Sequence, residues 1–180
     1  MKKLSALIAA CRKYDRSSQN ELFHKYADQV MNLARRYVHD DYKAKDVFLR
    51  SFEKALNNIN RYDETKGSFS SWLNRITINE ALNQIKSDRR FVFEEVKDEK
   101  VTEVIEPVDN IDYDKVIRLI DELRMPYGII FNMIQEGYKH KEVAERFNIT
   151  EATSRSYYKR SRQMIRAKIS EQQLNELQNG

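Results

Sequence analysis

Hydrophobic side chains recur along this chain at three- and four-residue intervals, in blocks separated by short polar stretches. That spacing puts them on one face of successive α-helices. Leu4, Leu7, Ile8, Cys11 and Tyr14 form the first stripe. Ser17 and Ser18 offer a cap for the second, in which Leu22, Phe23, Tyr26, Ala27, Val30, Met31, Ala34 and Tyr37 recur before His39-Asp40-Asp41 breaks it. The third, from Tyr42 to about Asn57, buries Ala44, Val47, Phe48, Ser51, Phe52 and Ala55 and turns Lys45, Asp46, Leu49, Arg50, Glu53 and Lys54 outward. Residues 57–68 are polar and contain Gly67, so they read as a loop. Ser68 can cap a fourth helix with Phe69, Trp72, Leu73, Ile76 and Leu82 inward, ending at Lys86, Arg89 and Arg90.

The pattern then stops. Beyond Phe91, acidic residues such as Glu94, Glu95, Asp98, Glu99, Glu103 and Glu106 outweigh Lys97 and Lys100, and Pro107 opposes helix. Such a segment is expected to be a solvated, flexible linker. Helical spacing resumes with Val116, Ile117, Ile120 and Leu123, stops before Met125-Pro126, and returns over Tyr127 to Gln135 with Ile129, Ile130 and Met133 inward. The reading is an all-α chain of two small helical domains joined by an acidic flexible linker: residues 1–91, a linker at 92–112, and residues 113–180. The polar tail, residues 171–180, is expected to fray.

Within the second domain, residues 136–166 read as two helices around a tight turn. Lys139 to Arg146 with Phe147 carries Val143 and Ala144 on one face. Asn148 stands where the chain must turn, and Asn tolerates the left-handed conformation better than any residue except Gly. Thr150 can cap a second helix from Glu151 to about Lys168, with Tyr158, Ser161 and Ile165 inward and Arg155, Lys159, Arg162 and Arg166 on the other side. A packed face opposite a basic stripe, behind a short helix and turn, is the helix-turn-helix arrangement that enters a DNA major groove. The stripe alone would serve equally as a solvated face; its place beside that turn favours DNA.

Composition narrows the chemistry. The chain has 180 residues, 32 basic against 28 acidic, and only 4 Gly and 2 Pro, which suits helices. Its one cysteine, Cys11, excludes an internal disulfide and reads as a small core residue in a cytoplasmic protein. The start, Met1 to Cys11, also fits a lipoprotein leader. Ser5 interrupts its apolar run and the stripe favours a packed helix, and no later stretch approaches the ~20 apolar residues of a membrane span. His24, His39 and His140 are scattered and Gly67 is isolated, so no metal, cofactor or catalytic site is expected. A second basic cluster, Arg75, Lys86, Arg89 and Arg90, accompanies Asn79 and Asn83 on the fourth helix, behind a loop carrying Asn60, Arg61, Tyr62 and Lys66. A polar loop tied to a rigid bundle is suited to unstacked bases, whereas Phe69 and Trp72 read as core.

These residues resemble the RNA polymerase sigma factors of the extracytoplasmic-function group. Met125-Pro126 stands where that family has Leu-Pro. Glu136-Gly137-Tyr138, His140, Glu142-Val143-Ala144 and Thr153-Ser154-Arg155-Ser156 are similar to its −35-reading helix-turn-helix. Ala44-Lys45-Asp46-Val47 and Phe52 resemble its polymerase-docking helix, and Gly67-Ser68-Phe69, Trp72-Leu73, Arg75-Ile76 and Asn79 its helix behind the −10 element. The resemblance implies a non-enzymatic initiation factor with core RNA polymerase, promoter DNA and an anti-sigma protein as partners. It implies polymerase contacts at Asp46, Leu49, Arg50 and Glu53. It implies −10 contacts at Asn60, Arg61, Tyr62, Lys66, Arg75, Asn79, Asn83, Lys86, Arg89 and Arg90. It implies −35 contacts at Glu151, Thr153, Arg155, Ser156, Lys159, Arg160 and Arg162. The family usually has Gln and Glu where this chain has Leu49 and Arg50, and commonly Val where it has Ser154. A stand-alone helix-turn-helix regulator and a sigma-like adaptor without a promoter are the rival readings.

Overall fold

A computed structural model describes residues 3–88, 118–120, 122–123 and 125–178, with 87–88 and 172–178 described by backbone alone. Contacts divide the chain into two units, Met1–Phe91 and Val92–Gly180. The described residues form helices and turns, and the chain is all-α. The acidic stretch at 92–112, the basic pair Arg89 and Arg90, and Val116 and Ile117 lie outside the described residues.

The first unit contains α1 (Leu4–Cys11), α2 (Arg16–Tyr37), α3 (Asp41–Asn57) and α4 (Phe69–Asp88). Two short 3-10 turns, Ile59–Arg61 and Glu64–Lys66, lie between α3 and α4. Side chains set the starts of α2, α3 and α4. Asp15, not Ser17 or Ser18, caps α2, its carboxylate accepting from the Ser18 amide at 2.9 Å. Asp40 accepts from the amides of Tyr42 and Lys43 at 2.9 and 3.0 Å and so begins α3. The Ser68 hydroxyl receives the Ser71 amide at 3.1 Å, the cap expected for α4.

The core of this unit gathers Leu7, Ile8 and Cys11 of α1 with Leu22, Tyr26, Val30, Phe48, Phe52, Phe69 and Leu73. The six inward residues expected for α3 are all buried and its six outward residues all exposed. Rings interlock across helices, with Phe23 centred 4.6 Å from Phe52 and 5.4 Å from Phe48. A polar bridge fixes α2 against α4, where Gln29 Nε2 donates to Ser70 Oγ and Asn74 Oδ1, each at 2.6 Å. Buried Glu80 pairs with Lys54, compensating its charge where it leaves water. Tyr14 departs from the expected stripe. The chain has already turned there, with φ at 61°, and its ring is 76% exposed.

The second unit contains α5 (Tyr127–Gln135), α6 (His140–Phe147) and α7 (Glu151–Gln178). Leu119 and Leu123, in and after a helical turn at 118–120, pack with Phe131 of α5 and Ile165 and Ile169 of α7. Lys168 of α7 pairs with Glu122 beside that core. The tail expected to fray is helical through Gln178.

Candidate nucleic-acid interface

The sharpest turn in the second unit separates α6 from α7. Glu142 accepts from the Lys139 amide at 2.7 Å at the start of α6, which then buries Val143, Ala144 and Phe147. Asn148 ends it at φ 54° and ψ 47°, the left-handed conformation expected there. The Ile149 amide returns to the Ala144 carbonyl at 3.1 Å, and the Thr153 amide donates to the Thr150 hydroxyl at 3.0 Å to start α7.

The inward face of α7 is built on small residues. Ser154 and Ser161 have no exposed surface and Tyr157 only 2%. The Ser161 hydroxyl lies 2.8 Å from the Tyr157 carbonyl and 2.9 Å from that of Tyr127. Tyr157 therefore takes the core place expected for Tyr158. Tyr158 is half-buried at the edge, stacked on Phe131 at 5.6 Å, with its hydroxyl receiving Gln135 Nε2 at 3.0 Å. His140 clips α6 to α7, its Nδ1 lying 3.0 Å from Ser154 Oγ. Partial burial, and then the neighbouring Arg155 charge, hold the His140 pKa below its ordinary value, against a smaller opposing pull from Glu151.

The opposite face is polar and accessible. Glu151, Arg155 and Lys159 are exposed, and Thr153, Ser156, Arg160, Arg162 and Arg166 are half-buried. Arg155 pairs with Glu151 one turn earlier. Both side chains are about half in water, so the pair holds them with little energy, on the order of 0.3–0.5 kcal/mol. All seven residues expected to meet a −35 element thus lie on α7, in its first three and a half turns.

In the first unit, Arg75, Asn79, Asn83 and Lys86 are all exposed along one line of α4. Asn60, Arg61 and Lys66 of the preceding loop are exposed too. Tyr62 is not. It is 7% exposed, with its ring centred 5.2 Å from Phe69 and 5.5 Å from Trp72 and its hydroxyl donating to the Gly67 carbonyl at 3.1 Å. It props the loop from inside, its ring covered by Phe69 and Trp72. Phe69 is core as expected, and Trp72 is half-buried against it. Asp63 shapes the loop's second turn, accepting from the Thr65 hydroxyl at 2.7 Å and its amide at 3.0 Å. These bonds, the hydroxyl's first, hold the Asp63 carboxyl below the usual carboxylate range. Gly67 closes the loop at φ 148°, a conformation side chains disfavour.

On α3, Asp46, Leu49, Arg50 and Glu53 share the outer surface. Leu49 is 59% exposed, and Arg50 lies 3.8 Å from Asp46 and 3.4 Å from Gln84 Oε1 of α4. One contact had no sequence signal. Arg12, the residue that follows α1, donates to the Tyr62 carbonyl at 2.7 Å, fifty residues away. Among the described residues, no cluster of His, Cys, Asp or Glu could hold a metal, and no helix is long and apolar enough to cross a membrane.

Residues 22–91 match Sigma-70 region 2, and residues 113–165 match Sigma-70, region 4. Across 83% of the chain there is 25% identity with the ECF RNA polymerase sigma factor SigE of Mycolicibacterium smegmatis. The chain belongs to the sigma-70 family, in its extracytoplasmic-function type. A shorter similarity, 32% over 79 residues and 44% of the chain, links this sigma-family chain to the RNA polymerase sigma-H factor of Pseudomonas aeruginosa. The chain spans 60% and 40% of the lengths of these two relatives. Two solved structures share the fold. CnrH, in complex with the cytosolic domain of CnrY, has a TM-score of 0.50 at 14% identity, covering 92% of this chain and 96% of that one. The sigma factor RpoE of Bartonella quintana, in complex with the anti-sigma factor NepR, has a TM-score of 0.50 at 17% identity, covering 84% and 96%.

Proposed function

We propose that this chain is a bacterial, cytoplasmic initiation factor that binds core RNA polymerase and directs it to promoters by reading −10 and −35 elements. The observation that carries the proposal is the pairing of matches with surfaces. Region 2 falls on the unit that exposes the α3 face and the loop–α4 face, and region 4 on the unit that exposes the basic side of α7. Asp46, Leu49, Arg50 and Glu53 dock on polymerase. Asn60, Arg61, Lys66, Arg75, Asn79, Asn83 and Lys86, continued by Arg89 and Arg90, receive the opened −10 element. Tyr62 contributes by supporting that loop from below.

On the −35 side, Arg155, Ser156 and Lys159 meet base edges or backbone in the major groove. Glu151 orients Arg155, and Thr153, Arg160 and Arg162 engage phosphates. The likeness to the sigma factor RpoE, solved with the anti-sigma factor NepR, supports an anti-sigma protein as a regulator of this one. Run-off transcription tests the reading. The purified chain added to a bacterial core enzyme is expected to initiate at a defined start on DNA from upstream of its own operon. Absence of any specific start with every core enzyme tried refutes it. A stand-alone regulator would bind DNA without co-eluting with core polymerase.

A further inference from the structure

We infer that Arg12, on a helix outside the region 2 match, is a positioning residue that sets the conformation of the loop at residues 60–66. The inference rests on the proposed role of that loop at the −10 element.

α1 spans Leu4–Cys11 and the family match begins at residue 22. Yet α1 shares the core of the matched unit and faces the loop across a cleft of about 530 Å³, with Ser5, Ile8 and Arg12 lining it opposite the loop. Arg12 is the C-cap residue of α1, so its side chain leaves a helix anchored by Leu7, Ile8 and Cys11. Its guanidinium donates to the Tyr62 carbonyl at 2.7 Å, a short, charge-assisted bond.

The acceptor's position explains why one bond has reach. The Tyr62 carbonyl and the Asp63 amide belong to one rigid peptide plane. That plane is the joint between the two 3-10 turns. On one side, the Tyr62 amide donates back to the Ile59 carbonyl at 3.2 Å and closes the turn that presents Asn60 and Arg61. On the other, Asp63 caps the turn that presents Lys66, whose amide returns to the Asp63 carbonyl at 3.1 Å. The Tyr62 ring packs on Phe69 and Trp72 of α4 and its hydroxyl ties it to Gly67, but neither fixes rotation of the following peptide plane. Arg12 does. It thereby sets how exposed Asn60 and Arg61 before the joint stand relative to exposed Lys66 after it.

The test uses the full chain with Arg12→Ala, Arg12→Gln and Arg12→Lys. Hydrogen exchange of the unbound protein is read first. Loss of the bond is expected to speed exchange of the Tyr62 and Lys66 amides about two- to tenfold. Amides of α7 should be unchanged and Arg12→Lys should recover part of the protection. Unchanged exchange at both amides overturns the inference whatever happens on DNA. The second reading is transcription by reconstituted holoenzyme from a promoter library randomised at the −10 and −35 regions. Arg12→Ala and Arg12→Gln are expected to flatten base preference in the −10 region while leaving −35 preference intact, which simple destabilisation of the fold would not do. An unaltered −10 preference in these variants overturns the inference. If the wild-type holoenzyme itself shows none, the assignment of the loop to the −10 element fails and the inference fails with it, and the wild-type profile alone distinguishes that case.

Discussion

The placement of Tyr62 under the loop makes a quantitative prediction. Its ring is 7% exposed and contacts both Phe69 and Trp72, with centroids 5.2 and 5.5 Å away. Replacing a buried aromatic by Ala costs about 3–5 kcal/mol, through lost burial and the cavity left behind. Tyr62→Phe keeps the ring and loses only the hydroxyl bond to Gly67 at 3.1 Å. Gly67 is exposed, so water replaces the lost donor and the cost falls to about 0.5–1 kcal/mol. With a urea slope of about 2 kcal/mol per molar, Tyr62→Ala lowers the unfolding midpoint by about 1.5–2.5 M and Tyr62→Phe by about half a molar or less. Trp72 is the only tryptophan in the chain, so its fluorescence reports the first unit even in the intact protein. The midpoint is the quantity to compare, because the amplitude changes whenever a neighbouring ring is altered. A Tyr62→Ala midpoint within about 0.5 M of wild type refutes the reasoning. The ring would then be no support, and its availability to an unstacked base would return as the better account.

The remaining predictions concern the second unit. Asn148→Gly should leave its stability within about 0.5 kcal/mol of wild type and Asn148→Val should lower it by about 1–2 kcal/mol, read from amide protection in α6 and α7. Arg155→Ala should cost about 1–3 kcal/mol on selected −35 duplexes and relax preference at one base position. An equal loss on every sequence would make Arg155 a phosphate contact. The lowered pKa of His140 means that the unfolded chain holds this proton more tightly. Its contribution to stability is thus full above about pH 6.5 and is lost as pH falls through the lower folded value. Amide protection in α6 should decline over that window in wild type and stay flatter in His140→Gln, whose amide carries no titrating proton.

The parts of the fold legible in the sequence are those where one face meets water and the other meets protein. The inward and outward residues of α3 separate cleanly because the helix lies at the surface and its apolar spacing has one reading. The bounds of α5 and the left-handed Asn148 follow from equally local signals. Helices with several neighbours bury more than one stripe, which is why Leu33, Ile78 and Ile85 are in the core without belonging to the expected pattern. Tyr157 and Tyr158 lie only about 100° apart around α7, and the choice between them depends on how closely the helix approaches α5 and α6. Fully buried Ser154 and Ser161 allow that approach, and the spacing of apolar residues does not report how close it is.

The candidate surfaces on α3, α4 and α7 were legible for the same reason as α3 itself. The interior of the loop was not. Its polar composition conceals Ile59 and Tyr62, both buried, and the residues that secure Tyr62 come from opposite directions along the chain, Arg12 fifty residues before and Phe69 and Trp72 after. The start of α2 was misplaced because two serines offered the usual cap while a single aspartate one turn earlier took the role.

The burial of Cys11 gives the first unit an internal clock. The chain's only thiol is 1% exposed, held beneath α1 together with Leu7 and Ile8. A thiol reagent reaches that sulfur only when the helix lifts away from its neighbours, so the rate of modification in excess reagent tracks how often this one helix opens. Comparing that rate with global unfolding separates local detachment of α1 from collapse of the whole unit, with no residue substituted.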